Sequence, residues 1–167
     1  MLFKVSSSTC IWMRLIVALD TTLKGACSMS TEANKVLVHR FIEELWNQGN
    51  LVVADELLAP EHVHHFFGED IHGPDGVKQL VSGLRSAFPD LNCSTDDMIA
   101  EADKVVVRFI ARGTHQGEGM GIPPTGKRVA YTGIDIFRIA GGRIVERWGE
   151  VDMLGLLQQL GVVPSMG

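Results

Sequence analysis

Apolar residues recur at helical spacing early in the chain and alternate with polar ones later. Val38, Phe41, Ile42, Leu45 and Trp46 fall on one face of a helix predicted over about 31–48, which Ser30 or Thr31 can cap and Gly49 ends. A shorter helix is predicted over about 51–58, closed by Pro60. The stretch His62-Val63-His64-His65-Phe66-Phe67 reads as a brief extended segment or loop. Gly73-Pro74-Asp75-Gly76 opens a third helix, on which Val77, Leu80, Val81, Leu84 and Phe88 share a face and which Pro89 ends. Beyond Pro89 the period drops to two. Leu91, Cys93 and Thr95 alternate until Asp96-Asp97 interrupts them. Strong strands are predicted from Lys104 to Thr114 and from Arg128 to Ile139, with a glycine- and proline-rich loop from His115 to Gly126 between them. A turn at Ala140-Gly141-Gly142 leads into a third strand, Arg143 to Val151, and a short helix, Met153 to Leu160, follows. Helices first and an antiparallel sheet of about four strands second argue an α+β fold. Helices packed on one face of a curved sheet leave a concave pocket, the natural place for a small-molecule site.

Composition narrows the class. The chain has 167 residues, enough for one ordinary domain, with 46% hydrophobic and 21% charged residues, as in a soluble globular protein. A net charge of −5 without a basic cluster argues against nucleic-acid binding. Three scattered cysteines with no CxxC spacing argue against a disulfide scaffold or a structural zinc site. Residues 1–28 differ in character, carrying Lys4, Arg14 and Lys24 against a single acidic Asp20. Their apolar run, residues 11–19, is broken by Arg14 and is too short to span a bilayer or serve as a good signal peptide. Met29-Ser30-Thr31-Glu32 resembles a natural start. Residues 1–28 are therefore expected to be an extension without a folded role, the domain to occupy 29–167, and the protein to be cytoplasmic with no membrane partner.

Alternation then sorts the chemistry. On the second strong strand Val129, Tyr131, Gly133, Asp135 and Phe137 share one face, while Ile134 and Ile136 lie on the other. A carboxyl held in that apolar row loses hydration, its pKa rises, and it becomes suited to general acid/base work. The competing reading pairs Asp135 with Arg138, Arg147 or a cap and gives it no further task. On the third strand Ile144, Glu146, Trp148, Glu150 and Asp152 are expected to share a face, with Trp148 lining a pocket for a flat substrate and Glu150 orienting another group. Of the histidines, His65 is the candidate to line the pocket as a neutral hydrogen-bonding group. His62 and His64 would share a face if their segment is extended, but no ligand spacing supports a metal. His115, at a strand end, is a candidate polar contact, and Gly117, Gly119 and Gly121 would let the loop bend over the pocket. Neither a phosphate-binding glycine motif nor a GxSxG nucleophile elbow is present.

Several strings together resemble one family. Gly113-Thr114-His115-x-Gly117-Glu118-x-Met120-Gly121-Ile122-Pro123-Pro124-Thr125-Gly126-Lys127 is similar to the signature of SnoaL-like polyketide cyclases, also called ester cyclases. So are Gly133-Ile134-Asp135-Ile136-Phe137-Arg138, then Gly142-Arg143-Ile144-Val145-Glu146-x-Trp148, and the ending Asp152 to Gly161. Gly73-Pro74-Asp75-Gly76-Val77 and Ala87-Phe88-Pro89-Asp90-Leu91 match as well. The resemblance covers about residues 31–161. It implies a nuclear-transport-factor-2-like cone, and an enzyme that closes a polyketide ring by an intramolecular aldol reaction without metal or cofactor. It places Asp135 as the general acid/base and His115 as a pocket histidine donating to the developing oxyanion. His65, Tyr131, Phe137, Trp148 and Glu150 would contact a small, largely apolar carbonyl compound. A homodimer or larger oligomer is also implied, and the apolar Ile134 and Ile136 would need cover. The alternatives are a non-catalytic pocket for a hydrophobic ligand, or another reaction of the same fold such as that of an isomerase, dehydratase or epoxide hydrolase.

Overall fold

A computed structural model describes residues 30–164. The expectations for residues 1–28 lie outside this range. Ser30 caps the first helix, α1 (Thr31–Arg40), its hydroxyl accepting from the Ala33 N–H at 3.2 Å. Residues Phe41–Asn47 carry the helix on with wider π-type turns. A 3₁₀ turn (Leu51–Val53) and the one-turn helix α2 (Ala54–Leu57) follow. Strands β1 (Leu58–Phe66) and β2 (Glu69–His72) form a hairpin, and α3 (Gly73–Ala87) packs back on β1. Strands β3 (Asn92–Glu101), β4 (Lys104–Thr114), β5 (Arg128–Ala140) and β6 (Arg143–Val151) then run as an antiparallel meander, and α4 (Met153–Leu160) closes the domain.

The six strands make one curved open sheet in the order β2-β1-β6-β5-β4-β3. Neighbours are antiparallel except β1 and β6, which run parallel. The α+β architecture stands, with two strands more than expected. The additional pair comes from the histidine-rich segment, which is extended along nine residues. Pro60 escapes the usual objection to proline in a sheet, because β1 skips pairing between Leu58 and Val63. Asp96-Asp97 does not end a strand; the register shifts there and β3 continues.

Helix residues Val38, Leu45, Val77 and Val81 meet Val105, Val107, Val129 and Phe137 of the inner sheet face, all of them buried. Ile134 and Ile136 face outward and are exposed. Among the described residues no helix is long and apolar enough to cross a membrane.

Candidate active site

Alternation on β5 has the expected parity: Val129, Asp135 and Phe137 are buried, and Tyr131 is half-buried on the same face. On β6 the expected parity is overturned. Arg138 pairs with Glu146 while Ile139 pairs with Ile144, so Val145 is an extra residue and a bulge. Ile144 faces the core, but beyond the bulge Arg147 and Gly149 face inward. Trp148 and Glu150 therefore leave the pocket. Trp148 stacks on His65, ring centroids 5.5 Å apart. Glu150 is exposed and edges a shallow hollow with Arg108, Thr132 and Ile134.

On β1 the buried histidines are His62 and His64; His65 points the other way. Its Nδ1 lies 2.6 Å from Asp70 and its Nε2 3.0 Å from Glu146, and these carboxylates hold its pKa above the ordinary histidine value. His65 is thus part of a surface charge cluster rather than of the pocket.

Three strands bring the inner groups together. His64 on β1 registers with Arg147 on β6, and Arg147 with Phe137 on β5. One step along, Phe66 registers with Gly149 and Gly149 with Asp135. Having no side chain, Gly149 leaves room above it. A Cβ there would lie 2.9 Å from Asp135 Oδ1 and 3.4 Å from His64 Nε2. Asp135 reaches diagonally to Arg147, whose Nη2 donates to Oδ2 at 2.7 Å. The partner named by the competing reading is therefore real, and it sits inside the pocket with the carboxylate.

Aromatic rings enclose this guanidinium. Arg147 Cζ lies 4.8 Å from the ring centre of Trp46, 5.5 Å from Phe41 and 5.6 Å from Phe137. Phe41 and Trp46 are five residues apart and would diverge on an α-helix of 3.6 residues per turn. The π-type turns of 41–47 bring them to one side, with centroids 6.3 Å apart.

Asp135 and Arg147 line a cavity of about 420 Å³, within the ordinary range of small-molecule sites. The rest of its lining is apolar or aromatic: Phe41, Trp46, Phe66, Phe88, Phe109 and Leu156 among others, with Tyr131 and Cys93 adding a hydroxyl and a thiol. Phe67 and Met120 line it too, and both are exposed. The glycine-rich loop does bend over the pocket, as Met120 belongs to it. Gly117 allows this: its N–H bonds the Ala87 carbonyl at 3.1 Å, and a Cβ would strike the Ser86 carbonyl.

Burial raises the Asp135 carboxyl above its ordinary pKa, and Arg147 works against that rise. Burial also lowers His62 to about 4 and His64 to about 2, so both are neutral near pH 7. It raises the Cys93 thiol to about 11 and lifts the Tyr131 phenol as well. Asp135 and Arg147 are thus the charged pair of the interior among the described residues. Their remaining polar atoms, Asp135 Oδ1 and Arg147 Nε and Nη1, are buried without a hydrogen-bond partner, as are both ring nitrogens of His64.

Two further candidates lie outside the cavity wall. Phe137 is fully buried beneath Arg147 and serves as part of its aromatic surround. His115 is also fully buried, its ring 5.0 Å from Phe88. Its Nδ1 accepts the Thr125 N–H at 3.3 Å, which leaves Nε2 to carry the ring's N–H. The ring ties down both ends of the loop and stands behind Phe88 instead of facing a ligand. Sequence reasoning named Arg147 only as a possible partner of Asp135, not as a cavity group, and weighed His64 only as a metal ligand; an extended reading of 58–66 would have placed His64 beside the pair. Among the described residues no three His, Cys, Asp or Glu side chains are placed to hold a metal ion.

Comparison with known proteins gives cyclases by sequence and, among solved structures, a protein described as a hydroxylase. The chain is 30% identical over 119 residues to the nogalonic acid methyl ester cyclase of Streptomyces nogalater, covering 70% of this chain and 89% of that one. It is 31% identical over 140 residues to an aklanonic acid methyl ester cyclase of Streptomyces peucetius, covering 80% and 92%. Among solved structures, AclR of Streptomyces galilaeus superposes with a TM-score of 0.74 at 33% identity, over 83% of this chain and 87% of that one. TsrD of Streptomyces laurentii does so with a TM-score of 0.74 at 32% identity, over 81% and 99%. The fold is thereby the expected nuclear-transport-factor-2-like one. A family model described as SnoaL-like polyketide cyclase matches residues 36–160, and the chain belongs to that family.

Proposed function

We propose that the protein is a cyclase-type enzyme that closes a ring in a flat, polyketide-like ester by an intramolecular aldol reaction, with Asp135 as general acid/base. One observation carries this reading: a buried carboxylate with one oxygen unpartnered lines a largely apolar and aromatic cavity. Asp135 Oδ1 takes a proton from the carbon beside a carbonyl; the C–H bond breaks, an O–H bond forms and the electron pair becomes an enolate. The enolate carbon attacks a second carbonyl of the same molecule, a C–C bond forms, and the new alkoxide takes the proton back. Product and substrate are isomers, so no co-reactant is consumed. Burial keeps the proton affinity of Asp135 above that of a surface carboxyl, which suits it to both transfers. The aromatic walls fit a flat substrate, and the names of the relatives point to methyl esters of nogalonic and aklanonic acid as the compounds to try.

The test is direct. Either ester is incubated with the protein and its conversion to an isomeric product is followed by chromatography with mass detection. Asp135→Asn is expected to lower kcat about 10²–10⁴-fold, the usual span for a lost acid/base group. An Asp135→Asn protein that turns over the ester at the wild-type rate would end the assignment.

A further inference from the structure

The Asp135 carboxylate cannot leave its proton chemistry unbalanced in a buried site. When it accepts a proton, negative charge moves onto the ligand, in a cavity whose lining is almost wholly apolar. Some donor must face that charge. His115, the residue expected to do so, stands behind Phe88 and ties down the loop. His64 is neutral and has no place among the cavity-lining residues. Arg147 does line the cavity, is buried, and carries two nitrogens, Nε and Nη1, without a partner. A guanidinium offers five N–H donors in a rigid fork, and here only Nη2 is engaged by Asp135.

We propose that Arg147 is the oxyanion-binding residue of this cavity, holding the enolate oxygen with the N–H groups that Asp135 leaves free, so that its ligands are compounds able to place an ionisable carbonyl or phenol oxygen beside it. The proposal rests on the acid/base reading of Asp135 and gives that reading its counter-charge. Before proton transfer Arg147 balances the Asp135 carboxylate through Oδ2. After transfer Asp135 is neutral, the enolate oxygen is negative, and the same guanidinium balances it. The charge of the interior is equal before and after, so burial does not oppose the step. The rings of Trp46, Phe41 and Phe137 surround the guanidinium without taking any of its N–H groups in a hydrogen bond, which leaves Nε and Nη1 for oxygen acceptors. Other titratable groups near the pair, His62, His64, Cys93 and Tyr131, are held uncharged near neutrality by burial, so none supplies a second counter-charge, and the Tyr131 hydroxyl can add only a neutral donor.

The probe is 1-naphthol, whose ionised form absorbs at longer wavelength than the neutral form, with naphthalene as the control lacking oxygen. In full-length Asp135→Asn protein the competing carboxylate is gone and Arg147 remains. Bound naphthol is expected to ionise at least one pH unit lower than free naphthol, a tenfold or greater preference for naphtholate. In the Asp135→Asn/Arg147→Met double variant, which buries no unpaired charge, that preference is expected to vanish while naphthalene binds as before. A second measurement uses the wild-type protein: the Arg147 Nε–H resonance is expected to move on adding 1-naphthol and to stay still with naphthalene. Equal ionisation of naphthol in the single and double variants, or an Nε–H resonance indifferent to naphthol, would overturn the proposal. Failure of the acid/base reading would look different, because ester turnover would survive Asp135→Asn with the naphtholate preference intact.

Discussion

Gly149 stands directly across from Asp135 on the neighbouring strand, and its missing side chain is what lets a carboxylate, a histidine and a guanidinium share one small volume. A methyl group there would crowd both Asp135 Oδ1 and His64 Nε2, and a central strand cannot retreat to make way. Gly149→Ala is expected to cost about 1–3 kcal/mol of stability, the usual range for overpacking. It should also lower ester turnover by about 10²-fold, the scale of a 1 Å misplacement. Urea unfolding beside rate measurements checks both, and an alanine variant with full activity would show that the space is not needed. The ion pair also changes what Asp135→Asn does to stability. From the pattern alone, losing a buried charge should leave stability level or slightly higher. With Arg147 at 2.7 Å the substitution instead strands a buried cation. Breaking such a pair costs about 3–5 kcal/mol, and less where an Asn oxygen still accepts the bond. A drop in stability therefore no longer separates a structural Asp135 from a catalytic one; turnover does. Asp135 itself was legible, because β5 alternates without interruption from Arg128 to Phe137. Arg147 was legible only as one of several possible partners and not as a cavity group, because one extra residue, Val145, reverses which side chains of β6 face inward, and no feature of the string RIVERWGEV marks where the bulge falls. His65 was chosen over His64 for the same reason: a segment read as brief carries no parity.

At the scale of elements, departures from regular geometry gather around the cavity. The π-type turns aim Phe41 and Trp46 at Arg147, and helical periodicity gives no sign of them, since both residues also fit the apolar stripe of an α-helix, at its two edges. The β1–β2 turn is a second case. Phe67 and Gly68 take φ of 52° and 78°, the two positive values that a tight hairpin turn of this hand requires. Glycine is at home there, whereas phenylalanine is not. Met120, on the glycine-rich loop, has φ 56° and the same difficulty. Both side chains are exposed, apolar and part of the cavity wall, so local strain is retained where a ligand would enter. Phe67→Asn is expected to hold stability or raise it by up to about 1 kcal/mol, since Asn tolerates this conformation. Affinity for a naphthalene-sized ligand should fall at the same time. Thermal melts and fluorescence titration read the two effects on one variant, and a destabilised protein with unchanged affinity would show that Phe67 serves the hairpin alone.

Across the whole molecule the buried histidines set the response to acid. His62 and His64 are neutral in the folded state down to about pH 4 and about pH 2, but in the unfolded chain they protonate near pH 6.5. Below pH 6.5 the unfolded state therefore binds more protons, and stability falls as pH drops. Each histidine contributes up to about 1.4 kcal/mol per pH unit until its folded value is reached. Asp135 acts in the opposite sense: with a raised folded value it takes up its proton earlier in the folded state, which offsets part of the loss at the acid end. Denaturation midpoints between pH 7 and pH 4.5 should decline steeply, and more gently in His64→Gln. A flat profile would mean that these side chains are not held neutral by burial.

The parallel pairing of β1 with β6 also has a consequence for the order in which the protein assembles. Strands β3 to β6 are successive hairpins, two closed by tight turns and one by the longer loop of residues 115–127, but β1 must find a partner much later in the chain; 82 residues separate His62 from the Ile144 carbonyl it bonds. Contacts between such distant segments form slowly. Until they form, Gly149 already lies beside Asp135, while Phe66 is missing from the wall and His64 from its place beside Arg147. During synthesis the ribosome must release β6 before this corner of the cavity can close. A refolding chain should thus show sheet signal early and recover catalysis only with its slowest phase, so that almost every molecule able to react is one whose first and last strands have met.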